Sequence, residues 1–215
     1  MHTVYGGAHL YKAETPSKLG QLAVKSLDTY APDAMTFAHA VLWRRKVRSE
    51  GERKVLVARF QSNPAELRKE DPRAWLGFTV YSRVRAKLER EPVEDFRIDF
   101  EDGFGVRPDP EEDQVATTSA TELARAMVES KVPPFIGIRI KPLNEELHYR
   151  SVRTMDLFVT TLVGQSKRLP DNFVVTLPRL GSTSIPTRAN LSGLVDRRIP
   201  IMHIHMHENN THSAR

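Results

Sequence analysis

The sequence predicts an α/β fold in which parallel strands are covered by helices. Three observations lead there. From residue 95 the chain alternates strand, helix, strand, helix, strand. The intervening helical segments are long enough to cross over and return. A further strand and helix precede them, which makes four β/α steps in sequence. The alternation leaves a doubly wound sheet and a (β/α)8 barrel both open. No G-x-G-x-x-G follows any strand, which counts against a dinucleotide-binding version.

Each element has its own signal. Residues 2–7, HTVYGG, read as a short strand ending at a glycine turn. ETPSKLGQLAVKSLDTYAPD reads as a helix capped by Thr15 or Ser17. Leu19, Leu22, Ala23 and Leu27 are its expected apolar stripe, and Pro32 ends it. From Trp43 to Gly77 the periodicity weakens. VLVARF suggests a short strand and RKEDPRAW a turn-rich surface piece, so residues 44–77 read as an insertion. TVYSRVRAKLERE resumes helical spacing through Val80, Val84 and Leu88. DFRIDF, Asp95–Phe100, is the second strand. EEDQVATTSATELARAMVES is a helix whose acidic start suits the positive end of the helix dipole. Phe135–Ile140 and Asn172–Leu177 are the third and fourth strands, stopped by Pro142 and Pro178. The helix between them should bury Leu147, Val152, Met155, Phe158 and Val159. After Gly181 no further β/α unit is legible, and residues 184–215 read as an irregular tail.

Composition narrows the function classes. The chain has 215 residues, no cysteine, 40% hydrophobic and 27% charged residues. Disulfides, thiolate metal sites and a cysteine nucleophile are excluded. No apolar run approaches the roughly 20 residues needed to cross a bilayer, and the N-terminal stretch lacks the pattern of a secretory signal. A cytoplasmic location is the expectation. Residues 44–90 hold 14 Lys+Arg against 6 Asp+Glu, a net of +8 that leaves −3 for the rest of a chain whose total is +5. In that segment the bases alternate with acids and helix formers. It therefore reads as a solvated helical surface rather than a nucleic-acid face.

The chemistry concentrates at strand ends. The first strand ends in Tyr5-Gly6-Gly7, the second in Asp99, Glu101 and Asp102, the third in Arg139 and Lys141, and the fourth in Thr176 and Arg179. Alternation along the second strand puts Phe96, Ile98 and Phe100 on one face and Arg97, Asp99 and Glu101 on the other. Carboxylates are costly to bury unless a cation or an arginine meets them. Arg139 across the strand ends can bind an oxyanion or a substrate carboxylate bidentately, and the acids can bind Mg²⁺ directly or through its waters. The competing reading makes Arg139–Asp99 a bridge serving structure alone. A second constellation is MHIHMHE: on a strand His203, His205 and His207 would share one face, as an H-x-H metal site of a hydrolase requires. Its place in a polar terminus favours a frayed tail instead. Ser17 and Ser182 lie in no G-x-S-x-G elbow.

VYGGAHLYKAETPSKLGQLAVKSL, DFRIDFEDGFGVRPDPEED, GIRIKPL and VVTLPRL together resemble the aldolase/citrate lyase superfamily. The segments that carry the resemblance are Gly6-Gly7, Pro16 with Lys18, IDFED, IRIKP and LPR, within about residues 2–43 and 78–183. The resemblance implies a partial (β/α)8 barrel over residues 1–183, roughly its first four β/α units. It implies carbon–carbon lyase chemistry on an oxo-acid or an acyl-CoA thioester, with Mg²⁺ or Mn²⁺ stabilising an enolate. Arg139, Glu101 and Asp102 would be its catalytic residues. Glu101 and Asp102 would hold the metal through water, and Arg139, Lys141, Lys18, Gly6 and Gly7 would bind substrate. The family's direct metal ligands come from later strands, so a truncated chain of low activity is expected. Its open barrel edges should favour self-association. A non-enzymatic interaction protein and a hydrolase built on His203, His205 and His207 are the alternatives.

Overall fold

The computed structural model describes residues 1–41 and 49–178, and the backbone of residues 203–206. The chain divides into two compact units, residues 1–16 with 93–215, and residues 17–92.

The first unit is built on a parallel sheet. Its strands are β1 (Thr3–Gly7), β2 (Asp95–Asp99), β3 (Phe135–Arg139), β4 (Phe173–Leu177) and β5 (His203–Met206), in the spatial order β1-β2-β3-β4-β5. Sequential neighbours pair throughout, so the described sheet has no switch point of the kind a doubly wound fold carries. Between β2 and β3 runs α6 (Asp109–Val128), and between β3 and β4 runs α7 (His148–Ser166). Both are long enough for right-handed crossovers, which put helices on one side of such a sheet.

Residues paired across a parallel ladder share a face. On the helix-covered face Phe96, Ile98 and Phe100 of β2 and its end meet Ile136, Ile138 and Ile140 of β3. Ala116, Ala120 and Leu123 of α6 and Phe158 and Leu162 of α7 complete this layer. Each fully buried Phe, Ile or Leu contributes about 1.5–3 kcal/mol, so this layer is the principal stabilising element of the unit. The opposite face is polar: Thr3, Tyr5 and Gly7 lie in register with Asp95, Arg97 and Asp99, and Arg97 and Asp99 with Gly137 and Arg139. Asp95, Arg97 and Asp99 are nonetheless buried. Asp95 accepts a 2.8 Å hydrogen bond from the Thr3 hydroxyl and forms an ion pair with Arg97. Burial pulls the Arg97 guanidinium below its usual range.

The second unit is helical. It comprises most of α1 (Thr15–Tyr30), then α2 (Ala34–Val41), α3 (Glu50–Ser62), α4 (Pro64–Glu70) and α5 (Pro72–Arg90). Ala34, Met35, Leu56, Leu67, Ala74 and Phe78 form its own small core, with Phe60 stacked on Phe78 at 5.0 Å. Here the sequence expectations need correction. VLVARF is the middle of α3, not a strand, and RKEDPRAW spans the end of α4 and the start of α5. Local capping decides this. Ser49 and Glu52 form a capping box at α3. Asn63 caps α4 and Asp71 caps α5, each followed by a proline at the first helical position. These Asn-Pro and Asp-Pro pairs are helix starts rather than loops. The α1 stripe is also displaced: Leu19 and Leu22 are exposed, Leu22 by 61%. Gly20 is buried, with Ala23, Val24 and Leu27 half-buried. A side chain at Gly20 would lie within 2.6 Å of Pro92.

The expected irregular tail contains strand β5, which pairs in parallel with β4 from Val174↔His203 to Leu177↔Met206. The other residues of 184–215, the expected roles of Ser182, His207 and Arg179, and residues 44–48 of the expected insertion lie outside the described residues. No described helix is long and apolar enough to cross a membrane.

Glycine positions separate tight packing from open space. A Cβ at Gly137 would lie 1.7 Å from the Val174 carbonyl oxygen on the adjacent strand, whereas one at Gly164 on α7 meets nothing within 4 Å. We expect Gly137→Ala to lower unfolding free energy by about 3 kcal/mol or more. Gly164→Ala should raise it by about 0.5–1 kcal/mol. Urea denaturation of the two variants measures both.

Candidate anion site at the strand ends

At the carboxyl ends of β1, β2 and β3 the register row Gly7–Asp99–Arg139 brings one acid and one arginine side by side. Asp99 is only 1% exposed. Its carboxylate accepts a 2.8 Å hydrogen bond from Arg139 Nε at Oδ1, and Nη2 donates to Oδ2, a bidentate fork. The N–H groups of Glu101 and Gly103 also donate to it, at 2.9 and 2.8 Å. Asp99 is therefore saturated.

Two further acids follow on the turn after β2. Glu101 Oε2 lies 3.0 Å from Arg139 Nη1, and Asp102 Oδ2 lies 3.4 Å from Nη2. The Tyr5 ring stacks on the guanidinium, 4.7 Å from centroid to Cζ, a cation–π contact. Close backbone approach shapes the rim. A Cβ at Gly7 would meet the Gly103 carbonyl oxygen at 2.3 Å, and one at Gly103 would meet Asp99 Oδ2 at 2.7 Å. Only glycine at both places lets the β1 end and the β2 turn touch while Asp99 receives the Gly103 N–H.

The electrostatics follow from these contacts. Burial alone would raise Asp99, but the Arg139 hydrogen bond and the two backbone N–H groups outweigh it and hold the carboxyl below its ordinary range. For Glu101 burial prevails over Arg139, and the charges of Asp102 and Asp99 add to it, so its carboxyl is pushed up. The hydrogen bond to Asp99 raises the Arg139 guanidinium despite its desolvation.

The remaining expected site residues scatter. Lys141 does not share the Arg139 contacts. It pairs with Glu112 of α6 and lies 5.7 Å from the centre of the Phe104 ring. Glu112 is fully buried, also meets Arg150 Nε at 3.4 Å, and accepts a 2.6 Å hydrogen bond from Thr154. This network ties β3 to α6 and α7. Gly6 faces the helix layer, where a Cβ would meet the Phe96 ring at 2.7 Å, so it is a packing glycine. Lys18 belongs to the helical unit. Among the described residues no group of three His, Cys, Asp or Glu side chains is placed to hold a metal ion directly. Glu101 and Asp102 each approach Arg139 through one carboxylate oxygen. His203 and His205 occupy β5 positions in register with Val174 and Thr176.

Sequence reasoning missed Tyr5 as the cover of Arg139, Gly103 as the donor to Asp99, and Glu112 as the partner of Lys141. Period-two alternation along VYG could have marked Tyr5, since it places Tyr5 and Gly7 on one face. The Glu112 pairing had no local signal.

A family model described as a domain of unknown function, DUF6986, matches residues 1–197. The matched span includes residues 44–77 and the first part of the segment after 184. No curated protein and no solved structure matches the chain.

The two carboxyls should titrate in opposite directions. Asp99, depressed in the fold, contributes stability that is present above its unfolded pKa of about 3.9. That contribution is lost as pH falls through the lower folded value. Glu101, raised in the fold, disfavours the fold while ionised, and this penalty disappears as pH falls through its elevated value. Carboxyl-carbon NMR titration should find the Asp99 midpoint below, and the Glu101 midpoint above, those of unstructured Asp and Glu. Replacing Arg139 by Ala would leave Asp99 buried without its guanidinium and should cost about 3 kcal/mol, read by urea denaturation.

Proposed function

The chain belongs to the DUF6986 family, and from that premise we propose that its strand-end rim binds the carboxylate of a small oxo-acid for carbon–carbon lyase chemistry of the aldolase/citrate lyase kind. The observation that carries the reading is an arginine held on two sides at the carboxyl ends of parallel strands. Asp99 holds its inner edge, Tyr5 covers one face, and 19% of its side chain remains open. In open and closed α/β sheets alike, ligands bind outside the carboxyl ends of the strands. The sequential strand order supports reading the sheet as part of a (β/α)8 barrel.

Within this reading each residue has one task. Arg139 Nη1 and Nη2 hold the acid group. Asp99 is a positioning residue that fixes the guanidinium plane through two hydrogen bonds. Tyr5 shields that plane from water, so the charge contacts weaken less than they would in bulk solvent. Mg²⁺ or Mn²⁺, when bound, would supply Lewis-acid stabilisation of an enolate, with Glu101 and Asp102 holding its waters. An acyl-CoA thioester is the other substrate class of this reading.

One observation favours a second, interaction role. Among the described residues β1 pairs with β2 on one side alone, and a strand edge of this kind is a template for pairing with another chain. A second copy adding there would give a discrete dimer in light scattering, and a strictly monomeric chain would end that role.

Pyruvate and acetyl-CoA are the probes for the lyase reading, titrated into the full chain by calorimetry with and without Mn²⁺. Arg139→Lys keeps the charge beside Asp99 but loses the fork. It should weaken pyruvate binding about tenfold or more. Equal binding by Arg139→Lys, or binding of neither probe by the native chain, would overturn the proposal.

A further inference from the structure

A guanidinium offers a carboxylate two forks, a side fork from Nε and Nη2 and an end fork from Nη1 and Nη2. Asp99 fills the side fork of Arg139. The end fork is bracketed: Glu101 lies 3.0 Å from Nη1 and Asp102 3.4 Å from Nη2. Three carboxylates thus surround one guanidinium, whose face is covered by Tyr5. An incoming acid finds both nitrogens of this fork already ion-paired, and it meets an excess of negative charge.

The three acids are not held alike. Asp99 is locked by the fork and two backbone N–H groups. Asp102 has a side chain 80% exposed, so solvent screens its charge. Glu101 is between them. Its side chain is 21% exposed and within hydrogen-bond distance of Nη1. It sits on a turn closed by the Phe104 and Gly105 N–H groups bonding to its carbonyl, not within the strand. It is the acid that most closely mimics a bound substrate carboxylate, and it is held by fewer contacts than the buried Asp99.

We infer that the end fork of Arg139 is a carboxylate site kept self-occupied by Glu101, and that a small monocarboxylate enters it by exchange with that side chain. This rests on the reading of Arg139 given above. Glu101 then sets the affinity and selectivity of the rim. Once displaced, it lies beside the bound acid as a hydrogen-bond acceptor and a negative charge. The site accordingly favours a monocarboxylate bearing a hydroxyl or enol donor over a dicarboxylate.

Calorimetric titration of the full chain with pyruvate tests the exchange. Removing the competing charge with Glu101→Gln should tighten binding about tenfold. Arg139→Lys in the Glu101→Gln background should erase the gain. In the native chain, saturating pyruvate should shift the Glu101 carboxyl-carbon signal and leave that of Asp99 in place. This second measurement decides the matter if Glu101→Gln does not fold. Unchanged or weaker binding by Glu101→Gln, or a Glu101 signal unmoved at saturation, overturns the exchange. If Arg139→Lys still weakens binding in that case, the oxo-acid reading of Arg139 survives. Binding insensitive to Arg139→Lys in both backgrounds overturns the reading and the exchange together.

Discussion

The rim depends on the bridge between Asp99 and Arg139. A carboxylate at 1% exposure on the polar face of a sheet would be untenable alone. Four hydrogen bonds make it stable there: two from the guanidinium and two from the backbone of the following turn. The first two orient Arg139, and the other two define the path of residues 100–103. Position and charge at this rim are thus one problem with one solution. The structural reading of the bridge and the functional one are not rivals, since an arginine must be held rigidly before it can select a ligand.

Backbone contact supports that bridge from below. Gly7, Gly103 and Gly137 each stand where a Cβ would run into the backbone or the Asp99 carboxylate of a neighbouring segment. Close strand approach at these points keeps the register rows aligned, and aligned rows put Gly7, Asp99 and Arg139 abreast. The apolar layer of Phe96, Ile98, Ile136 and Ile138 against α6 and α7 holds the sheet from the other side. Arg150, Thr154 and Lys141 converge on the buried Glu112 at the start of α6. This second polar cluster joins β3, α6 and α7 without touching Arg139, which explains why Lys141 serves the scaffold and not the rim.

The helical unit illustrates a different control. Its α3, α4 and α5 starts are set by Ser49, Asn63 and Asp71, each accepting a backbone N–H of its helix's first turn. Apolar periodicity is weak there because the unit's core is small. Side chains such as Val55, Val57 and Leu76 remain exposed. A reading by periodicity fails on such a segment, while a reading by caps succeeds.

Sequence alone determined the alternation of β2, α6, β3, α7 and β4, because apolar runs of period two and helical stripes bounded by Pro and Gly are local properties. It also determined that Asp99 opposes Phe96 and Ile98 across β2, and it offered a bridge to Arg139 as one of the ways that acid could be met; Glu101, expected on the same strand face, lies instead on the turn that follows. Tertiary structure alone decided that Arg139, not Lys141, takes Asp99. It decided that Gly6 packs while Gly7 shapes the rim, that α1 buries Gly20 rather than Leu22, and that His203–Met206 adds to the sheet. The reason is the same in each case: pairing register and close approach between segments distant in sequence choose which neighbour a side chain meets, and no local pattern carries that information.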